Sequence, residues 1–126
     1  MSRILDVGNC DPDHSMIRRM LIENFDVEID RVMFVDEAVE KMRGGRYDLV
    51  LVNRLIFDDG SEGAELLRRA KADSALQAAP IMMISNFPEA QQASVAAGGV
   101  PGFGKNSIFD PATRDRLSQY LAAKAK

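Results

Sequence analysis

The stretch Tyr47-Asp48-Leu49-Val50-Leu51-Val52-Asn53 decides the reading of this chain. Four apolar residues in a row, Leu49 to Val52, are the pattern of a strand buried on both faces, and such strands occupy the centre of parallel sheets covered by helices. The run stops at the polar side chain of Asn53, which the strand delivers to the end of the sheet.

Working outward, short apolar runs alternate with amphipathic segments, which predicts an α/β architecture. Toward the amino end, Ile4 to Val7 predicts a first strand. Met16, Ile17, Met20, Leu21 and Phe25 recur at helical spacing. Arg31 to Val35 predicts a second strand. Asp36 is placed to cap a short helix carrying Ala38, Val39 and Met42, ending at Gly44-Gly45.

Toward the carboxyl end, Glu62 to Ala72 predicts a helix with Ala64, Leu67 and Lys71 at matching spacing and Leu66 beside them. Pro80 opens the strand Ile81-Met82-Met83-Ile84. Pro88 to Ala97 is an Ala- and Gln-rich helix stopped by Gly98-Gly99. Val100 to Phe103 is a weak fifth strand. Asp110-Pro111 starts the last helix, with Pro at its first position; Leu117, Tyr120 and Leu121 are expected to face inward. The tail from Ala122 to Lys126 reads as a fraying helix end. Five strands alternating with five helices make a doubly wound sheet, whose functional loops lie at the carboxyl ends of the strands. Those loops are Gly8 to Asp13, Asn53 to Gly60, Ser85 to Phe87 and Gly104 to Asn106.

The 126 residues fit one domain spanning 1–126. A chain of this length buries roughly two-thirds of its unfolded surface, so no disulfide or metal staple is required. The formal net charge of -3 comes from interspersed charges without a basic block, which argues against nucleic acid. No apolar run is long enough for a membrane span, and the start lacks a signal-peptide layout. The single cysteine, Cys10, has no internal partner, which fits a reducing cytoplasm. Met20, Met82 and Met83 are expected in the core. No Ser-His-Asp, zinc or nucleotide-loop constellation is present, so an enzyme is not expected.

The four loops resemble those of the receiver (CheY-like) domain of two-component response regulators, over essentially the whole chain. The resemblance rests on Tyr47 to Val52, Glu65-Leu66-Leu67-Arg68-Arg69, Pro80 to Ser85, Ala96-Ala97-Gly98-Gly99 and Lys105, in this order. It implies a flavodoxin-like (βα)5 three-layer sandwich with strand order 2-1-3-4-5. In that family an aspartate at the position of Asn53 accepts a phosphoryl group, and paired acids after the first strand bind Mg²⁺ with it.

Here Asn53 replaces the acceptor, and Asn9 and Cys10 fall at the acid-pair positions if Pro12 is the family's proline. The resemblance therefore implies an atypical receiver. An amide is not a useful nucleophile, and the depleted acid set leaves no clear Mg²⁺ site, so neither metal nor cofactor is expected. Ser85 and Lys105 match the switch residues that contact the phosphoryl oxygens. Asn106 stands where a proline is usual, and the loop after Asn53 is longer than the family's.

Each remaining candidate has a plainer reading. Asp58 and Asp59, followed by Gly60, could accept phosphate but read first as a solvated turn. Asp11 could reach the site as a lone acid, or help cap the first helix. Cys10 has no sequence-adjacent cation and reads as a small half-buried residue. His14 reads as surface capping. Phe87 and Phe103 are either docking aromatics or core. Asp6, inside a strand that should be buried, has no explanation in the sequence.

The leading expectation is a protein-interaction module that docks a partner, a histidine kinase or another signalling protein, without phosphorylation. It would be a monomer or weak homodimer. Alternatives are a phosphoacceptor using Asp58, Asp59 or Asp11, and a flavodoxin-type ligand binder. The acidic run Asn9-Cys10-Asp11-Pro12-Asp13 disfavours the last, because it would repel phosphate.

Overall fold

The computed structural model describes residues 1–124. Five parallel strands form one sheet in the order β2-β1-β3-β4-β5. They are β1 (Ser2–Val7), β2 (Val27–Val32), β3 (Leu49–Asn53), β4 (Ile81–Ile84) and β5 (Val100–Phe103). Between and after them run α1 (Asp11–Asn24), α2 (Val35–Gly44), α3 (Ala64–Ala72), α4 (Pro88–Ala96) and α5 (Pro111–Leu117). The expected α/β sandwich and strand order are what the structure shows.

Alternation along the strands divides the core in two. In β3, Val50 and Val52 join Leu5, Val7, Met42, Leu66 and Met83 on one face of the sheet. Leu49 and Leu51 join Ile4, Ile17, Met20, Met82 and Leu117 on the other. The two clusters are the seams of a three-layer sandwich, with Met20, Met82 and Met83 inside it as expected.

α4 lacks a strong apolar stripe and is fastened by one polar side chain instead. Gln91 Nε2 donates to the carbonyl of Met83 at 2.9 Å, and its Oε1 accepts from the Gly102 amide at 3.0 Å. The amide group bridges β4 and β5 where their register shifts. Pro101 is tolerated because β5 is an edge strand. No helix among the described residues is long and apolar enough to cross a membrane.

Several expectations need correction. β2 covers Val27–Val32, four residues earlier at its start than Arg31. It is an edge strand, so half its positions are polar and the adjacent apolar run misleads. Asp36 does not cap α2; the Glu37 carboxylate accepts from the Met33 and Phe34 amides, and Asp36 pairs with Arg69 on α3. α3 begins at Ala64, and Lys71 is exposed while Ala70 is buried. Met16 is exposed. α5 ends at Leu117; Leu121 is buried beyond it and Tyr120 only partly.

The tail is not a helix end over its described part. Ala123 bridges antiparallel to Phe25, the Asp26 amide donates to Ala122, and the Ala122 amide donates to Ser2 Oγ at 2.8 Å. Ala125 and Lys126 lie outside the described residues.

Candidate functional site

β1 ends at Val7, and the φ of 79° at Gly8 turns the chain out of the sheet in a conformation that favours glycine. Asn9 then folds back into the protein rather than outward. Its Nδ2 donates to Asp6 Oδ1 at 2.6 Å, and His14 Nδ1 lies 2.5 Å from Asp6 Oδ2. Asp6 is 0 % exposed.

Strand alternation puts Asp6 on the same side as Ile4, beneath α1, where the first turn of that helix supplies His14. A buried carboxylate is tolerated when its oxygens are hydrogen-bonded, and both oxygens of Asp6 are. Asp6 is thus explained, and His14 is a half-buried partner of Asp6 rather than a surface cap. The signal available in the sequence was a charge interrupting an apolar strand with a histidine eight residues later.

Cys10 is the N-cap residue of α1, with no side-chain cap bond. Asp11 does not cap the helix through its side chain; it pairs with Arg31 Nη2 at 2.8 Å, and the same nitrogen donates to the Asn9 carbonyl. Asp13 is bound by Lys105, Nζ to Oδ2 at 2.6 Å. That bond, helped by one from the Cys10 thiol, holds the Asp13 carboxyl below its usual range.

Asn53 projects from the end of β3 with its amide committed to the backbone. Nδ2 donates to Leu55 O at 2.7 Å and to Gly8 O at 3.3 Å. Ser85 Oγ accepts from the Phe87 amide at 3.1 Å. Asn53, Ser85, Phe87 and Lys105 share a cleft of about 250 Å³, whose wall Arg54 and Leu55 complete. The structure therefore gathers four of the sequence-predicted residues. Asn9 and Cys10 do not line that cleft. Phe103 is 4 % exposed within the core, so of these two candidates it is Phe87, at 54 %, that presents an aromatic surface.

The loop after Asn53 is a small hairpin. Leu55 bridges antiparallel to Glu62, the Ile56 amide donates to Ser61, and the Gly63 amide donates to Arg54. The Phe57 amide donates to Gly8 at 3.0 Å, fastening the hairpin to the end of β1. Ile56 is fully buried, and its Cδ1 stands 2.5 Å from where a Cβ on Gly8 would lie. Ile56 thus folds inward from this loop as an apolar plug, which sequence reading missed. At the tip Asp59 accepts from the Ser61 amide and hydroxyl, which lowers its carboxyl pKa, and Asp58 is exposed.

A magnesium ion takes hard oxygen donors in octahedral array, commonly with one or two carboxylates. Asp6 is covered by α1 and fully engaged, Asp13 is held by Lys105, and the Cys10 sulfur is a soft donor. Among the described residues no group of three His, Cys, Asp or Glu side chains is arranged to hold a metal. The residues at this site do not fit such an ion.

No family model and no curated relative matches the sequence. Solved structures match over nearly the full length. A candidate response regulator from Chloroflexus aurantiacus J-10-fl superposes with a TM-score of 0.77 at 20% identity, covering 94% of each chain. The chemotaxis response regulator CheY4 of Vibrio cholerae gives 0.73 at 20%, over 96% of this chain and 99% of that one. The Mn²⁺-bound form of response regulator Rcp1 gives 0.74 at 16%, over 99% and 100%. The chain has the receiver fold. At these identities the likeness speaks for the fold alone, and within that receiver fold the cleft around Asn53 lies at the carboxyl ends of the strands.

Proposed function

We propose that this chain is a receiver-type module of two-component signalling that acts through protein contacts without accepting a phosphoryl group. The observation that carries the reading is the state of the cleft. Its central side chain is an amide tied to Leu55 and Gly8, and its lysine is turned to Asp13. A phosphoryl acceptor needs a nucleophilic oxygen and, in this chemistry, a metal to offset the developing charge. Asn53 offers no such oxygen, and the acid-pair positions Asn9 and Cys10 supply no carboxylate. Rcp1 has been seen with Mn²⁺ bound; in this chain Asn9, Cys10 and Asn53 offer such an ion no carboxylate.

In this reading the internal bonds replace the phosphorylation-dependent switch and hold one conformation permanently. The partner is a histidine kinase or another signalling protein, in the cytoplasm, where Cys10 stays reduced. Acceptance at a relocated acid has less geometric support. Asp11 faces Arg31, while Asp58 and Asp59, on the hairpin tip, do not line the cleft that holds Ser85 and Lys105.

The test is an amide NMR titration with Mg²⁺ followed by beryllofluoride, a phosphoryl mimic. Resonances of Asn53, Ser85 and Lys105 are expected to stay in place. A saturable, Mg²⁺-dependent shift would overturn the proposal, and substituting Asp11, Asp58 and Asp59 in turn would then locate the acceptor.

A further inference from the structure

The hairpin and the cleft beside it expose three large apolar side chains at the carboxyl ends of the strands. Phe57 is 63 % exposed, Phe87 54 % and Leu55 40 %. The charges there are separated. Arg54 lies over the Phe87 ring, 4.8 Å from its centroid, and Lys105 stands in the same cleft. Asp58 and Asp59 stand at the hairpin tip, four and five residues further on. Among the described residues Arg54 has no carboxylate at ion-pair distance and Asp58 has no cation.

An arginine held flat against an aromatic ring keeps its donor edges free for a planar carboxylate. With Lys105 already paired to Asp13, Arg54 is the cation the aromatic cleft offers, next to an acidic, aromatic tip. We infer that the occupant of this surface is a second copy of this chain, placed so that the hairpin tip of each protomer enters the cleft of the other. A two-fold interface is self-complementary: a contact between residues i and j is made twice. Arg54 and Asp58 lie four residues apart on one hairpin, so an axis between them satisfies both pairs at once. Phe57 of each protomer then covers Leu55 and Phe87 of the other. An acidic peptide from an unrelated protein would satisfy the cleft alone; it would leave the tip exposed.

This inference does not rest on the absence of phosphorylation, so its failure would leave the preceding reading intact. The experiment is sedimentation equilibrium of the full chain across a wide concentration range, with Arg54→Glu, Asp58→Arg and the double reversal. The expected result is a reversible dimer, weakened about tenfold or more by either single reversal and restored by the double, because each reversed charge again meets its opposite. Asp58 is exposed, so Asp58→Arg gives a readout even if Arg54→Glu disturbs folding. A monomer at every concentration, a dimer indifferent to the reversals, or a double variant as weak as the singles overturns the inference.

Discussion

At the amino ends of the strands, Arg3 lies over the Tyr47 ring and bonds Asp30 at 3.1 Å, while the Tyr47 hydroxyl donates to the same carboxylate at 2.6 Å. At the carboxyl ends, Asp6 is gripped by Asn9 and His14, and Asp13 by Lys105. In the first cluster the Tyr47 ring is buried but the charged ends of Arg3 and Asp30 are partly exposed, and water can stand in for a charged partner that is removed. The second hides one carboxylate completely beneath α1. A cluster that water reaches is worth little in net stability. One from which water is excluded is costly to break, because the partners left behind stay unpaired. In the receiver fold the carboxyl end is the end that would do chemistry, and in this chain its polar groups bind one another.

That contrast can be broken by experiment. Asp6→Ala leaves Asn9 Nδ2 and His14 without their acceptor and should cost about 4 kcal/mol in urea-induced unfolding; a loss below about 1 kcal/mol would mean that water reaches the pair and the two ends are alike. Ile56→Ala empties the plug above Gly8 and should cost about 3 kcal/mol by the same measurement. Hydrogen exchange at the Phe57 amide should rise with it, since the hairpin loses its anchor; unchanged exchange would show that the backbone bond to Gly8 holds the hairpin alone.

The smallest effect belongs to the amino end. Tyr47→Phe removes one hydrogen bond to a charged acceptor and should cost about 1 kcal/mol. Burial, with the Asp30 carboxylate beside it, pushes the Tyr47 hydroxyl up from 10.0 to about 12. The folded pKa is therefore the higher one. The stabilisation is complete below pH 10 and is lost as pH climbs through about 12, because the unfolded chain releases the proton first. Across that window the difference in stability between wild type and Tyr47→Phe should shrink. A constant difference would remove the Asp30–Tyr47 bond from the comparison.

Much of the fold was legible because its signals are local. Leu49 to Val52 carries the pattern of a strand buried on both faces, Gly44-Gly45 mark the end of α2, and Gly98-Gly99 follow directly on the cap of α4 at Ala97. The register from Tyr47 put Asn53 at the strand end, and spacing put Ser85 and Lys105 in the loops that share its cleft. Edges were harder. β2 was placed too late because only one side of an edge strand is pressed into the core, so Val27-Glu28-Ile29-Asp30 shows half the apolar signal of β3.

By itself the sequence determined the element order, the layered architecture and the delivery of the Asn53 side chain to the end of β3. Those follow from periodicity and residue type, which each segment carries within itself. Only the tertiary structure decided the partners: His14 for Asp6, Asp13 for Lys105, Gly8 for Ile56 and Ser2 for the tail at Ala122. A charged or apolar side chain has many possible neighbours at the level of sequence, and the choice among them is made when the sheet brings separate loops to one end and excludes water from some of them.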